Sequence, residues 1–319
     1  MPIKTRKIIV KVPHRISGFF EIVDEREGKK ILNPEEIGSR GAGFNLKAFG
    51  ATKIEVDFLS LNDESDCSIY INNERLDHKA ETTFYIYSRV KDLLKKPFKA
   101  RISHYFDLPI GSGYGASGSG ALGSIVGLSK LLKLKLNFKE MGRIAHIAEV
   151  VNKTGLGTVC GQIGGGLCML IEPGYPCHFK RINVPKGIKV ICTSFGMIHT
   201  KSILSNPNLN ALIKEEGKKA LKKLMINPTI QTFIDASIEF VKNTRILEIL
   251  ELDKVKELMD ELNRLNILGA SMNQLGKSVY AICKEQDLNL VMEIFESFNN
   301  KKDIYISEIY KKNPILIQK

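Results

Sequence analysis

The stretch best equipped for chemistry runs from Leu108 to Leu122 and reads LPIGSGYGASGSGAL. Five glycines and three serines crowd together there, behind Pro109 and ahead of an apolar run. Glycine admits positive φ and lets a ligand approach the backbone closely. Alternating glycines expose successive N–H groups, which can form an anion-binding concavity. The next residues, Ala116 to Leu132, are rich in Ala, Leu and Ile, with Ser and Gly at the start and Lys at the end. That is the polarity of a helix. A glycine loop opening a helix N-terminus is a candidate phosphate site.

Competing readings of the loop differ in what they leave unexplained. No Gly-Lys-Ser/Thr follows, so it is not a Walker A loop. Gly113, Gly115 and Gly118 satisfy G-x-G-x-x-G, the dinucleotide fingerprint, but the acidic residue expected about 20 positions on has only Glu140 to offer. A Gly/Ser turn before a tightly packed helix is the plain structural alternative, and nothing structural needs so many glycines and serines together. A second polar group is His146 and Glu149. Met141, Ile144, Ala145, Ala148 and Val151 recur at helical spacing over Phe138 to Asn152. His146 and Glu149 share a face away from that stripe, where a solvated surface is the default.

The elements that must position these groups follow from periodicity. Lys7 to Val12 is apolar and β-branched, a first strand. Pro13 to Asp24 reads as strand-loop-strand with its turn at Ser17-Gly18, and Gly38 to Gly43 reads as a loop before a strand-like FNLKAFGATKIEVDFL. Lys99 to Phe106 is a strand feeding the glycine loop. A third glycine-rich segment, Thr154 to Gly166, precedes strand Leu167 to Ile171 and a PGYP turn. Ile188 to Ser194, Ser278 to Cys283 and Ile304 to Ile306 read as strands, and long amphipathic helices dominate from about Asn206. Early β-rich sequence followed by loop and helix predicts an α+β fold.

At 319 residues the chain has room for two domains. No apolar run reaches the length of a membrane span, and the start, MPIKTRKIIVKV, lacks a secretory pattern; the expectation is a cytoplasmic protein with no membrane partner. The net charge of +12 raises nucleic acid. The lysines, however, interleave with Asp and Glu along helical segments, and no aromatic-plus-basic signature accompanies them. A Lys-rich solvated surface is expected, with no nucleic-acid partner. High Ile, Lys and Glu with no Trp is a thermophile-like composition. Cys67, Cys160, Cys168, Cys177, Cys192 and Cys283 form neither C-x-x-C nor a zinc spacing, so buried free thiols are expected.

Pro109, Gly113-Tyr114-Gly115 and Ala116-Ser117 resemble the P-x-x-x-G-L-G-S-S-A-A loop of the GHMP small-molecule kinases. Within that superfamily the chain resembles the archaeal pantoate kinases over nearly its full length. The carrying segments are HRISGFFEIVD (14–24), GSRGAGFNL (38–46), PIGSGYGASGSGAL (109–122), AHIAEVVNKTGLG (145–157), GGGLCMLIEPGYP (164–176) and ASMNQLGKSVYA (270–281). The resemblance implies two α+β domains with the active site in the cleft between them, and the change of character near 185–205 sets the expected division at 1–195, the ATP-binding domain, and 196–319, the C-terminal domain. It implies ATP-dependent phosphorylation of pantoate for coenzyme A synthesis. It assigns Pro109, Gly111, Gly113, Gly115, Ala116, Ser117, Gly118 and Ser119 to the nucleotide. Ser117 and Glu149 would hold Mg²⁺, a hard ion that takes oxygen ligands and few of them from protein. Ser17, His146 and Thr200 resemble positions associated with pantoate. Its carboxylate needs cationic or N–H donors, for which His146, Arg15 and Arg40 are the candidates; a surface salt bridge is the alternative for either arginine. The assembly admits a homodimer.

Two departures stand out. Pantoate kinases typically read T-G-L-G-D in the segment after the helix, and this chain has Thr158 in place of the Asp, which leaves the general base in question. An Arg is expected three residues before the Pro-Gly turn, and Leu170 is there, which leaves part of the carboxylate grip in question. Thr158 could still orient the acceptor hydroxyl. A GHMP kinase for another small hydroxy acid or alcohol is one competing reading. A non-catalytic ATP-binding relative is another, against which Ser117, Glu149 and the intact loop argue.

Overall fold

A computed structural model describes residues 5–198, 203 and 206–318. Two sheets organise them. In the first, the long strand Arg6–Val23 pairs antiparallel with Gly38–Phe58 along nearly its whole length. Gly38–Phe58 also carries Phe98–Phe106 on its second half and Leu167–Leu170 on its first, and Asp66–Ile71 lies parallel to Phe98–Phe106. The C-terminal strand Leu316–Gln318 returns to the free edge of Arg6–Val23. In the second sheet, Ile188–Ser194 sits between Ser278–Lys284 and Ile304–Ser307, and Gly269–Met272 flanks Ser278–Lys284. Strand 188–194 thus pairs with the C-terminal strands, although it precedes residue 195. The result is the α+β architecture expected from the sequence.

Two expected breaks are continuous strand. Ser17-Gly18 is not a turn: the chain runs straight from Arg6 to Val23, with register irregularities between Pro13 and Arg15 and between Ser17 and Phe19. A Cβ on Gly18 would lie 2.2 Å from Ser237 Oγ, so glycine serves close packing there. Gly38 to Gly43 likewise opens the second strand. A Cβ on Gly41 would lie 2.3 Å from the Phe19 carbonyl oxygen, and Gly41 has φ +148°, so only glycine lets the two backbones meet.

Helices Glu81–Leu94, Ala116–Leu132 and Phe138–Val151 share a core with the first sheet, where Ile54, Ile102, Leu122 and Leu128 are fully buried. Helices Pro207–Ile226 and Ile230–Thr244 pack against the first long strand, and a second core unites them with the second sheet. Phe44 is its hinge pin, with edge-on contacts to Phe233 at 5.8 Å and Tyr280 at 5.6 Å between ring centroids. Burying each such ring contributes roughly 1.5–3 kcal/mol. Helix Phe138–Val151 starts at a capping box: Asn137 Oδ1 accepts from Glu140 N, and Glu140 accepts from Asn137 N.

The expectation of free thiols fails for two of the six cysteines. Cys160, on the short helix Thr158–Gly164, forms a disulfide with Cys177, just past the Pro-Gly turn. The turn folds back over the helix, a tertiary encounter that no C-x-x-C spacing announces. Cys168, Cys192 and Cys283 are buried free thiols, and Cys67 is half-buried.

Candidate active site

A cleft of about 840 Å³ opens at the N-terminus of helix Ala116–Leu132, a size that suits small-molecule ligands. Its walls are the Arg15–Phe20 part of the first strand, residues 39–42 of the second, the glycine loop, residues 153–158, Leu170, and the stretches at Met197-Ile198 and Gln274-Leu275.

The loop reaches the helix through three left-handed glycines, Gly111, Gly113 and Gly115. Gly115 is the N-cap, and no side chain caps this helix end. The first-turn N–H groups of a helix have no intrahelical acceptor. Here they stand at the wall of the cleft, an arrangement that favours an anion. Gly111, Gly113, Gly115, Ala116 and Ser117 line the cleft; Pro109, Gly118 and Ser119 do not. Ser119 is buried and its hydroxyl donates to the Ala116 carbonyl at 3.0 Å, so it serves its own helix. Gly118 faces the short helix, where a Cβ would lie 2.7 Å from Gln162 Oε1.

Glu149 is 1% exposed. Its Oε1 accepts from Thr154 Oγ1 at 3.1 Å, and its Oε2 has no hydrogen-bond partner among the described residues. Burial pushes its pKa up, and the hydroxyls of Ser117, Thr154 and Thr158 pull the other way. A Cβ on Gly155 would lie 2.3 Å from Glu149 Oε2 and 2.9 Å from Thr158 Oγ1, so both oxygens converge over a glycine that leaves them room. Ser117 Oγ, at the adjacent helix end, donates to the Thr154 carbonyl at 3.4 Å. A buried acceptor without a donor invites a cation. Among the described residues no three His, Cys, Asp or Glu side chains cluster as a metal cage. One carboxylate, one hydroxyl and ligand phosphates are instead the donor set that suits Mg²⁺.

The remaining sequence candidates divide. Ser17 and Arg40 line the cleft. Arg40 is already engaged, its Nε and Nη2 bonded to the Glu21 carboxylate at 2.9 and 2.6 Å. Arg15 lines the cleft too and is only 3% exposed. His146 is not brought to the cleft wall. It is buried, bonds the Ile37 carbonyl through Nε2 at 3.0 Å and lies against the Tyr175 ring. Burial lowers its pKa, which favours the neutral ring. The face it shares with Glu149 is therefore interior, not solvated. Thr158 and Leu170 both line the cleft. Thr200 lies outside the described residues.

Sequence reasoning missed Ser39, Lys79, Lys153 and Gln274, all on the cleft wall. Ser39, Lys153 and Gln274 fall inside segments already singled out, GSRGAGFNL, AHIAEVVNKTGLG and ASMNQLGKSVYA. Lys79 has no local signal, since the fold alone brings it beside the loop.

Known proteins point the same way. Residues 83–166 match the family described as GHMP kinases N terminal domain. The pantoate kinase of Thermococcus kodakarensis is 30% identical over 95% of this chain and 96% of its own length. The chain belongs to the pantoate kinase family. A second member, the pantoate kinase of Methanocaldococcus jannaschii, is 30% identical over 89% of this chain and 96% of its own. Among solved structures, a phosphotransferase related to the CoA biosynthesis pathway superposes with a TM-score of 0.83 at 27% identity, covering 98% of this chain and 99% of that one. The region matching the N-terminal GHMP domain contains the uncapped helix end and Glu149.

Proposed function

We propose that this protein transfers the γ-phosphoryl group of ATP to the primary hydroxyl of pantoate, giving 4-phosphopantoate for coenzyme A biosynthesis in the cytoplasm. Kinship with pantoate kinases over almost the whole chain carries this reading. The uncapped, glycine-lined helix end supports it as a place for nucleotide phosphates.

Ser117 and Glu149 would hold Mg²⁺, which fits the donorless Glu149 Oε2 and would supply neutralisation of phosphate charge. The loop amides cradle the phosphates and hold them against the acceptor. Thr158 Oγ1 accepts a hydrogen bond from the acceptor hydroxyl and orients it. During transfer the acceptor oxygen forms its bond to phosphorus as the bond to the ADP oxygen breaks. The transition state is loose, so the hydroxyl proton can leave late, to solvent or to a phosphate oxygen. Positioning and charge neutralisation then carry the rate without a carboxylate base.

Leu170 favours one second reading, another small hydroxy acid as acceptor, because it leaves an apolar wall where the family resemblance leads one to expect an arginine. A coupled ADP-release assay with pantoate, mevalonate, homoserine and shikimate, with phosphorus NMR of the product, separates the two. Pantoate should have the highest kcat/KM. Turnover of another acid with none of pantoate would replace the proposed acceptor.

A further inference from the structure

We infer that Arg15 is the counter-ion of the substrate carboxylate and so sets the chain's preference for an acid as acceptor. This rests on the acceptor being a small hydroxy acid, as proposed above.

The sequence offered three side chains for that carboxylate, and the structure separates them. The other two cations on the cleft wall, Lys79 and Lys153, stand at the Ser117 end, where Lys79 shares a small pocket with Ser117 and Lys153 precedes Thr154, whose carbonyl Ser117 bonds. His146 is held on the Ile37 carbonyl away from the cleft. Arg40 has both arms of its fork on Glu21. Arg15 remains. Its Nη1 is anchored by the Gly161 carbonyl at 3.0 Å and, more distantly, by Asn45 Oδ1 at 3.4 Å. Its Nε and Nη2 make no hydrogen bond among the described residues, and no carboxylate pairs with it there. An arginine that is only 3% exposed and lacks an anion is an unmet electrostatic demand.

The backbone explains how it reaches the cleft. The irregularities on either side of Arg15–Ser17 isolate a three-residue window, paired to Gly43–Asn45. Within it Ile16 enters the core while Arg15 and Ser17 take the cleft side. Irregularities of this kind re-aim side chains beside active sites. The guanidinium lies on the short helix that begins with Thr158, where a Cβ on Gly161 would sit 2.1 Å from Arg15 Nε. The acid is thereby held within one helical turn of the residue proposed to orient its hydroxyl. Arg15 and Leu170 both line the cleft, on strands that each pair with Gly38–Phe58, so the cation absent from position 170 is supplied from the first strand.

The test compares pantoate with pantoamide, its uncharged isostere, on the wild type, Arg15→Met and Arg15→Lys. We expect the wild type to favour pantoate by about 10²-fold in kcat/KM, as for a buried charge pair. Arg15→Met should reduce that preference to a few-fold, mainly through the KM for pantoate, with the KM for ATP unchanged. Arg15→Lys should restore part of it. An unchanged preference in a folded Arg15→Met protein overturns the assignment, as does a wild type indifferent to pantoate and pantoamide, which needs no variant to fold. If the wild type phosphorylates a different hydroxy acid, the pantoate reading fails and the same comparison is run on that acid and its amide. If it phosphorylates only alcohols without a carboxylate, the role of Arg15 fails with it.

Discussion

At the scale of single residues, the site turns on a buried carboxylate. Glu149 has its pKa raised by burial. In the ligand-free protein its ionised form is therefore penalised, and its contribution to stability falls as pH rises through the raised value. Glu149→Gln should lower kcat by orders of magnitude, while the ligand-free melting temperature holds or rises, with the gain growing as pH rises above the ordinary carboxylate range toward the raised value. Scanning calorimetry at several pH values, with and without Mg²⁺ and nucleotide, checks this; a variant that retains activity but melts lower would make Glu149 structural. Thr158 offers a second test. An Asp there gains from the N-terminus of its helix and could act as a general base, help typically worth about 10²–10⁴-fold. We expect Thr158→Asp to raise kcat at saturating ATP and Mg²⁺ and to lower the melting temperature of the metal-free protein, since the new charge sits beside Glu149. An unchanged kcat would mean that the acceptor hydroxyl is not at residue 158.

At the scale of elements, the glycine loop and its helix act as one device. Gly115 has φ +68° and faces Thr158 Cγ2, 2.8 Å from where a Cβ would be. A β-branched residue there is strained by its own backbone and crowds the helix end. Gly115→Val should abolish nucleotide binding in a protein that still folds; undiminished ATP affinity by titration calorimetry would place the phosphates elsewhere. The short helix Thr158–Gly164 is a second device. It bears Thr158 at one end, rests on Arg15 at Gly161 and is tied by the disulfide to the turn after Leu167–Leu170. Free thiols were expected here because disulfides are rare in cytosolic proteins; intracellular proteins of hyperthermophiles are the exception, which agrees with a thermophile-like composition.

At the scale of the whole molecule, two buried histidines brace the first sheet. His104 bonds Thr52 through Nδ1 and Thr83 through Nε2, joining two strands to helix Glu81–Leu94. His14 bonds the Tyr114 carbonyl and so joins the first strand to the glycine loop. Burial lowers each pKa to about 4. A base with a depressed folded pKa contributes stability that is present above about pH 6.5 and lost as pH falls toward 4. Each shift corresponds to roughly 3 kcal/mol at the acid limit. We therefore expect the melting temperature to fall steeply between pH 6.5 and 4, and His104→Gln to flatten part of that slope. A melting temperature flat across this range would show that neither ring is buried uncharged.

The local signals in the chain were enough for the α+β class, the loop and the bounds of helix Ala116–Leu132. Each rests on spacing within one segment, where periodicity and glycine placement act directly on the backbone. Gly18 and Gly38 to Gly43 misled, because a glycine read alone means a turn, while here it means two strands or a strand and a helix in close approach. The buried state of His146 and Glu149 was likewise illegible: helical spacing identifies a face, and only the neighbouring elements decide whether water or protein covers it. The Cys160–Cys177 bond, Lys79 beside the loop and the choice among Arg15, Arg40 and His146 all depend on which distant partner arrives. Arg40 meets Glu21 across a strand pair, His146 meets the Ile37 carbonyl, and Arg15 is left without an anion. That difference is made by tertiary contacts, and the three side chains are otherwise equal claimants for the same carboxylate.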